Sequence, residues 1–173
     1  VETIASRLQY RIKDSVIARR LNNTFVGLAG NTDPDIPILE WVGSDIDGFR
    51  GNTAVLPHWS GIIDLDASTP PTTLVSPGTD TVALNTLIGV LSNGGSGIDN
   101  AAIYFVGSDS DINNYGWGGG APLADQNTSV MHRINDVAGQ PTQFVSGIAG
   151  VDFSGVDIYE YYQLAWTAYA VGI

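Results

Sequence analysis

The chain has 173 residues, of which 43% are hydrophobic and only 14% charged, and its net charge is −11. This length is enough for one domain with a buried core, and the 21 glycines together with the scarce charges favour short strands and many turns over helices. The absence of cysteine excludes disulfides, zinc–thiolate sites and thiol nucleophiles, and no segment approaches the roughly 20 apolar residues of a membrane-spanning helix.

The first 21 residues carry most of the positive charge. Residues 1–20 contain five basic and two acidic side chains, whereas the remainder contains two basic and sixteen acidic ones. Ile4–Leu21 fits both an apolar repeat every four residues and a strand-like alternation, so we predict a basic N-terminal arm or first strand over residues 1–21, with a surface helix as the alternative.

This charge distribution restricts the partners. The acidic body should repel nucleic acid, so we expect no direct nucleic-acid contact, and only the basic segment offers a contact to the head groups of an internal membrane. A strand edge that is kept soluble by its charges is the alternative role of the same segment. Its basic residues are Arg7, Arg11, Lys13, Arg19 and Arg20.

Short runs of β-branched and aromatic residues between turn residues predict the strands. One of these runs is interrupted by Pro57, which indicates a sheet edge or a bulge. The stretches Gly43–Asn52 and Ala67–Gly78 are predicted to be loops. The predicted internal strands are Thr24–Ala29, Ile38–Val42, Thr53–Trp59, Gly61–Asp66, Ala101–Val106, Val130–Val137 and Gln143–Ala149.

One helix is predicted between the strands. Apolar residues recur with helical spacing over Asp80–Leu91, Asp80 is a suitable N-cap, and the glycine-rich Ser92–Gly97 ends the pattern. The polar stretch Gly107–Asp125 is predicted to be a long loop that either binds something or folds on itself.

The chain ends in an apolar and aromatic segment, Asp157–Ile173, without a charged side chain after Glu160. Its residue types favour a strand, and because both faces are mostly apolar we expect that strand to be covered on both sides or to lie in mid-sheet. A buried amphipathic helix is the alternative. In total we predict an all-β fold over residues 1–173, a single jelly roll with about eight main strands in two sheets and at most one or two short helices.

No motif for catalysis stands out, and we predict that the protein is not an enzyme and has no catalytic, cofactor or metal site. The two histidines, His58 and His132, are expected to be structural, since no serine elbow accompanies them and two imidazoles do not form a metal triad. An acid glycosidase is a further alternative. It needs two carboxylates, and Glu40 and Glu160 lie beside aromatic residues, as suits a sugar site. The four Asp-x-Asp pairs are interpreted as solvated turns instead of calcium sites. They are Asp33/Asp35, Asp45/Asp47, Asp64/Asp66 and Asp109/Asp111.

Three short sequence segments carry a family resemblance: the start Val-Glu-Thr-Ile-Ala, the central Val-Leu-Pro-His-Trp-Ser-Gly (Val55–Gly61) and the aromatic Tyr159–Trp166. With these and its size, the chain resembles over its full length the smaller major capsid protein of tailless icosahedral phages that contain an internal membrane, in particular those infecting heat-loving bacteria. The resemblance implies a single upright jelly roll, a homodimer as building block, and co-assembly with a larger jelly-roll capsid protein into a shell over a lipid vesicle. The expected location is the virion, after synthesis in the host cytoplasm.

A carbohydrate-binding β-sandwich module is the alternative function. In that case the rings of Tyr115 and Trp117 in the long loop would stack on a sugar, and neighbouring aspartates would accept its hydroxyl protons.

Overall fold

The computed structural model describes residues 2–50, 54–108, 111–118, 126 and 128–172. Over these residues the chain forms ten strands in two antiparallel sheets with few short helices, an arrangement compatible with a β-sandwich. The strands are β1 (Ile17–Arg19), β2 (Phe25–Gly27), β3 (Ile38–Gly43), β4 (Asp64–Thr69), β5 (Thr73–Val75), β6 (Ala102–Phe105), β7 (His132–Val137), β8 (Gln140–Ser146), β9 (Tyr162–Ala165) and β10 (Thr167–Gly172). The helices are α1 (Glu2–Gln9), α2 (Ile46–Phe49) and α3 (Thr81–Leu91), with short 3₁₀ helices at Ile98–Asn100 and Ile112–Tyr115.

The four-stranded sheet has the order β10-β3-β1-β2, and the six-stranded sheet has the order β4-β5-β8-β7-β6-β9. In the larger sheet, β6, β7 and β8 are successive antiparallel neighbours and β9 returns to pair with β6. This is the strand order of a Greek key. The two antiparallel sheets and the few short helices confirm the prediction of a mostly β fold with two sheets.

Both faces of the six-stranded sheet are covered at its centre, and β6 shows why. All four of its residues are buried. Ile103 and Phe105 belong to a core cluster on the face that packs against α3, whereas Ala102 and Tyr104 belong to a second cluster that includes Met131. Because successive side chains of a strand point to opposite faces, a run that is apolar at every position requires cover on both sides. The prediction for Ala101–Val106 is confirmed.

The predicted helix is also confirmed, as α3. The carboxylate of Asp80 accepts hydrogen bonds from the backbone amides of Val82 and Ala83, as an N-cap does. Leu84 and Ile88, four residues apart, are fully buried in the core. None of the helices in the described part of the chain is long and apolar enough to cross a membrane.

The C-terminal segment forms strands, as predicted, but it divides at Trp166 between the two sheets. The first half, β9, pairs with β6 and is largely buried, whereas the second half, β10, pairs with β3 and exposes alternate residues. Each half lies at the edge of its sheet, so the predicted mid-sheet position is wrong, and cover on both sides holds for β9 alone. The segment joins the two sheets at this corner.

Several other boundaries differ from the predictions. The predicted extended arm is helical over α1, and only β1 within residues 1–21 is a strand. The predicted loops contain α2 and β5, and the apolar residues 54–59 form no strand. The described residues therefore contain three α-helices, where at most two were predicted. Thr53 and residues 109–110 and 119–125 of the predicted long loop lie outside the described residues.

Candidate functional site

The last two arginines of the basic segment are used inside the fold. Arg19 contacts the Glu40 carboxylate at 2.8 Å, with both side chains about 15% exposed, and Arg20 contacts Asp33 at 2.6 Å. These pairs fasten β1 to β3 and to the loop after β2. Since its carboxylate is engaged with Arg19, Glu40 is not a free catalytic acid.

The other three basic residues of this segment lie closer to solvent. Arg7 pairs with Asp47 at 3.3 Å, and Lys13 lies 3.7 Å from Asp14 with both side chains more than half exposed. Arg11 is exposed, and its guanidinium donates to a backbone carbonyl one turn earlier. Arg11 and Lys13 are therefore accessible to a partner, while Arg7 keeps 36% of its side chain exposed although it pairs with Asp47. The exposed fractions of Arg19 and Arg20 are lower, at 14% and 31%.

The prediction that the aspartate pairs are solvated turns holds for Asp33/Asp35 and is wrong for two others, since Asp64 and Asp66 belong to β4 and Asp45 is the buried N-cap of α2. Asp33, Asp64 and Asp111 each accept a hydrogen bond from a backbone amide two or three residues further on. The amide of Asp35 and the guanidinium of Arg20 hold the pKa of Asp33 below its usual value. Asp109 of the fourth pair lies outside the described residues. Among the residues that the structure describes, no three His, Cys, Asp or Glu side chains are grouped to hold a metal ion.

The two rings chosen for sugar stacking are packed into the protein. Tyr115 is only 3% exposed, its ring stacks on Tyr104, and its hydroxyl donates to the backbone oxygen of Lys13. Trp117 packs against the same core cluster. Both rings line a smaller cavity of about 230 Å³, but Tyr115 exposes almost none of its surface to solvent.

A large concavity formed by described residues is lined by aromatic rings, and we call it the aromatic groove. Its volume is about 660 Å³. Trp59 contacts two other rings of the groove, since its centroid lies 4.7 Å from that of Phe49 and 5.6 Å from that of Tyr162. The groove is defined by Tyr10, Phe49, Trp59, Tyr161 and Tyr162.

The rim of this groove is apolar and exposed. It contains large side chains from α2, from the segment before β4 and from the residues that flank β6 and β9. Roughly half of each side chain is in contact with solvent, so these residues together form an exposed apolar surface. The rim residues and their exposed fractions are Phe49 (48%), Ile62 (42%), Val106 (51%) and Tyr161 (56%).

A buried carboxylate supports the floor of the groove. Asp45 is 4% exposed and accepts hydrogen bonds from the Trp59 indole at 3.1 Å and from the backbone amide of Gly48 at 3.2 Å. The Trp166 indole donates to it as well. Burial raises the pKa of Asp45, and these hydrogen bonds oppose the shift. Because its oxygens are already engaged, Asp45 holds the groove together and is not aimed at a ligand.

Another concavity, which we call the polar pocket, is lined mostly by polar residues. Its volume is about 360 Å³. The side chains come from the loop after β6, from the segment before β7 and from the connection between β8 and β9. The polar pocket is defined by Ser108, Asn114, Ser129, His132, Asp157 and Tyr159.

His132 forms the buried wall of the polar pocket. It is 4% exposed, and burial lowers its pKa to about 4, so the imidazole is neutral near pH 7. The ring donates a hydrogen bond to the backbone oxygen of Gln126, while its Nδ1 atom has no partner among the described residues. His58 likewise has a buried Nδ1 without a partner, but it belongs to neither concavity.

The polar pocket combines the residue types of a serine hydrolase, but they are not connected as in one. Ser108, Ser129 and Asp157 line the same cavity as His132. A catalytic triad needs a hydrogen bond from serine to histidine and from histidine to a carboxylate. Within the described residues His132 makes neither contact, so the arrangement can bind polar groups without activating a serine.

No protein-family model, no curated protein and no solved structure matches this chain.

Sequence reasoning missed both concavities. The groove brings together residues from positions 10 to 162, and the pocket brings together residues from positions 108 to 159. The one sequence feature that points to them is the aromatic segment Tyr159–Trp166, in which Tyr159 and Tyr161 are two residues apart. Their side chains contribute to different concavities.

Proposed function

We propose that this chain is a structural virion protein, a small major capsid protein that assembles with itself and with a larger jelly-roll capsid protein into an icosahedral shell over an internal membrane. The observation that supports this best is the exposed apolar rim of the aromatic groove. Contiguous apolar surface on a soluble protein is a feature of protein–protein contact sites. The family resemblance of Val55–Gly61 and Tyr159–Trp166 adds to this, because both segments contribute rings to the groove.

The rim has the composition of a self-association surface. Interfaces between identical chains are more apolar than the remaining surface, and tyrosine, phenylalanine and arginine are enriched at their centres. Arg50 lies 5.2 Å from the centre of the Tyr10 ring and donates to its hydroxyl, so one cation is already fixed at the groove. Burial of the rim contributes about 25 cal/mol for each Å² of apolar surface removed from water.

The jelly-roll winding is part of the same proposal. The Greek key of β6 to β9 supports it, because a jelly roll consists of two such keys wound together. The two carboxylates in the first half of the edge strand β4, Asp64 and Asp66, discourage uncontrolled pairing at that edge.

Contact with membrane head groups is proposed for Arg7, Arg11 and Lys13, because these are the most exposed of the five basic residues. Each basic residue near an anionic surface contributes about 1 kcal/mol. Replacement of the three accessible residues by glutamine should abolish co-flotation with anionic vesicles at low salt. Unchanged flotation of this variant would rule out the lipid contact.

The assembly surface is tested by the mass of the particle in solution, measured by light scattering after gel filtration. We expect wild type to have the mass of two chains. Ile62→Asp places a charge in the rim and should shift the mass to one chain, since an unpaired charge at an apolar interface costs several kcal/mol. Tyr161→Ala should weaken the dimer more mildly.

Val90→Asp is the matched control. Val90 is 72% exposed on α3 and lies outside the groove, so this variant should keep the mass of two chains. A wild type that stays a single chain at every concentration would contradict self-assembly. Equal dissociation of the Ile62 and Val90 variants would show that the rim is not the contact.

A further inference from the structure

The polar pocket offers hydrogen-bonding groups that the fold itself does not use. Within the described residues, no donor contacts the Asp157 carboxylate and no partner contacts the Asn114 side-chain amide or the Ser108 hydroxyl. His132 adds a buried imidazole whose Nδ1 is unpaired in the same part of the chain. Buried polar atoms in native proteins are nearly always paired with protein or water. Of these groups only His132 is buried, whereas Asp157 is exposed and Ser108 and Asn114 are half-buried. The unpaired His132 nitrogen therefore points to an external partner, and the other polar groups of the same cavity are open to bind it.

The charge of the pocket restricts that partner. No lysine or arginine is among its described lining residues, and His132 is neutral near pH 7, so a phosphate or carboxylate ligand would meet no positive charge. Asp157 is the one carboxylate in the described lining, which is too few for a dedicated calcium site. A purely apolar ligand would leave the polar groups unpaired, at a cost of about 1–3 kcal/mol for each buried one. The lining therefore disfavours anions, calcium and purely apolar ligands, and it matches a neutral ligand with several hydroxyl groups.

One aromatic ring forms a flat wall of this cavity. Tyr159 is 37% exposed, and its ring packs over the backbone of Gly107. A Cβ atom at Gly107 would lie 3.4 Å from two ring carbons of Tyr159, and the residue has a φ of +123°, which favours glycine. The ring is therefore held in place from behind while part of its surface remains open. An aromatic face beside hydroxyl acceptors is the arrangement on which the apolar side of a sugar ring stacks.

We propose that the polar pocket is a binding site for one neutral monosaccharide unit, with Tyr159 stacking on the sugar ring and Asp157 accepting hydrogen bonds from its hydroxyl groups. Asn114 and Ser108 provide further donors and acceptors at the opposite wall. The pocket volume of about 360 Å³ lies near the lower end of the range of about 300–1,000 Å³ for ligand sites, which fits a single ring better than a chain of sugars. This site is separate from the rim that the proposed assembly uses, and it is not the Tyr115 and Trp117 surface predicted from the sequence.

The test is saturation-transfer NMR, followed by titration, with D-glucose, D-galactose, D-mannose, N-acetyl-D-glucosamine and inorganic phosphate as probes. We expect at least one neutral sugar to bind saturably with a Kd of about 1 mM, the affinity that a few contacts without charge support. Tyr159→Ala and Asp157→Asn should each weaken that sugar about tenfold, which corresponds to about 1.4 kcal/mol.

Tyr161→Ala is the matched control, since it removes the same ring two residues further on, in the aromatic groove, and should leave the Kd within about twofold. Absence of saturable sugar binding by wild type, binding of phosphate alone, or equal loss in the Tyr159 and Tyr161 variants would each overturn the proposal. Asp157 is exposed and Asp157→Asn conserves its shape, so this variant keeps the test valid if Tyr159→Ala fails to fold. The particle mass measured on the same samples reports on assembly separately.

Discussion

The aromatic groove and the polar pocket have no lining residue in common, and each contains a buried titratable residue. In the groove, Asp45 has its carboxylate oxygens paired with two indoles and a backbone amide. In the pocket, His132 has one nitrogen paired and the other unpaired among the described residues. The comparison shows that burial alone does not identify a binding residue. A buried polar group whose bonds are complete supports the fold, whereas an unmet bond marks a candidate ligand site only where the group also lines one of these two concavities, as His132 does and His58 does not.

Tyr162, the first residue of β9, and Tyr159, three residues before it, show the same contrast. The hydroxyl of Tyr162, in the groove, hydrogen-bonds Ser76 at 2.9 Å and Thr79 at 3.2 Å in the interior. Tyr159, in the pocket, has no such bond to a described residue and is partly open to solvent. Changes in the groove should therefore alter stability, whereas changes in the pocket should alter binding.

The largest expected effect is that of Asp45→Ala. Removal of the carboxylate leaves the two indoles and the amide at the start of α2 without an acceptor, so the free energy of unfolding should fall by about 3–4 kcal/mol. Denaturant unfolding measures this change. Asp157→Ala in the pocket is the control and should change stability by less than about 0.5 kcal/mol. Equal losses in both variants would remove the distinction between a supporting and a ligand-binding carboxylate.

The next effect is a pH dependence that His132 causes. Its pKa is about 6.5 in the unfolded chain and about 4 in the folded protein, so the folded state binds fewer protons in this interval. Its contribution is complete above pH 6.5 and is lost as the pH falls towards 4, by about 3 kcal/mol in total. Unfolding of wild type and His132→Gln at a series of pH values should show this slope in wild type alone.

Asp45 should act with the opposite sign. Because its folded pKa is raised above 3.8, its contribution is fullest at low pH and declines as the pH rises through the raised pKa. Acid destabilisation that persists in His132→Gln but disappears in Asp45→Asn would therefore contradict the assignment of the acid-sensitive group to the pocket.

The smallest effect compares two hydroxyl groups. Tyr162→Phe removes a buried hydroxyl that is bonded to Ser76 and Thr79, and we expect a loss of about 1 kcal/mol. The two partners remain bonded to each other, which limits the cost. Tyr159→Phe should change stability by less than about 0.3 kcal/mol. Thermal or denaturant unfolding separates the two variants, and a larger loss in Tyr159→Phe would reverse the contrast.

The parts of the fold that the sequence predicted well are those with local signals. The Asp80 cap and the helical spacing of Leu84 and Ile88 are sufficient for α3, because a helix is formed by contacts between residues three or four apart. The fully apolar run of β6 likewise indicated a strand with two covered faces. The two-sheet arrangement followed from the number and length of such runs.

The predictions that failed concern segments with ambiguous or absent local signals. The first nine residues fit a helix and a strand equally, and α1 is held by contacts far along the chain, such as Arg7 with Asp47 and with the ring of Tyr169. The short helix α2 depends on the capping bond of Asp45. The polar pocket was not predicted for the same reason, because no sequence periodicity relates Ser108, Asn114 and Asp157.

By itself, the sequence determined that the protein is an all-β chain with one capped helix, an acidic body and a terminal segment of strand-forming residues. Only the tertiary structure decided that this segment divides at Trp166 between two sheets, and that Tyr159 and Tyr161 serve different concavities. The physical reason is the range of the interactions. Backbone preference and periodicity act between near neighbours, whereas a cavity and the pairing state of its polar atoms depend on residues that come together only when the sheets pack.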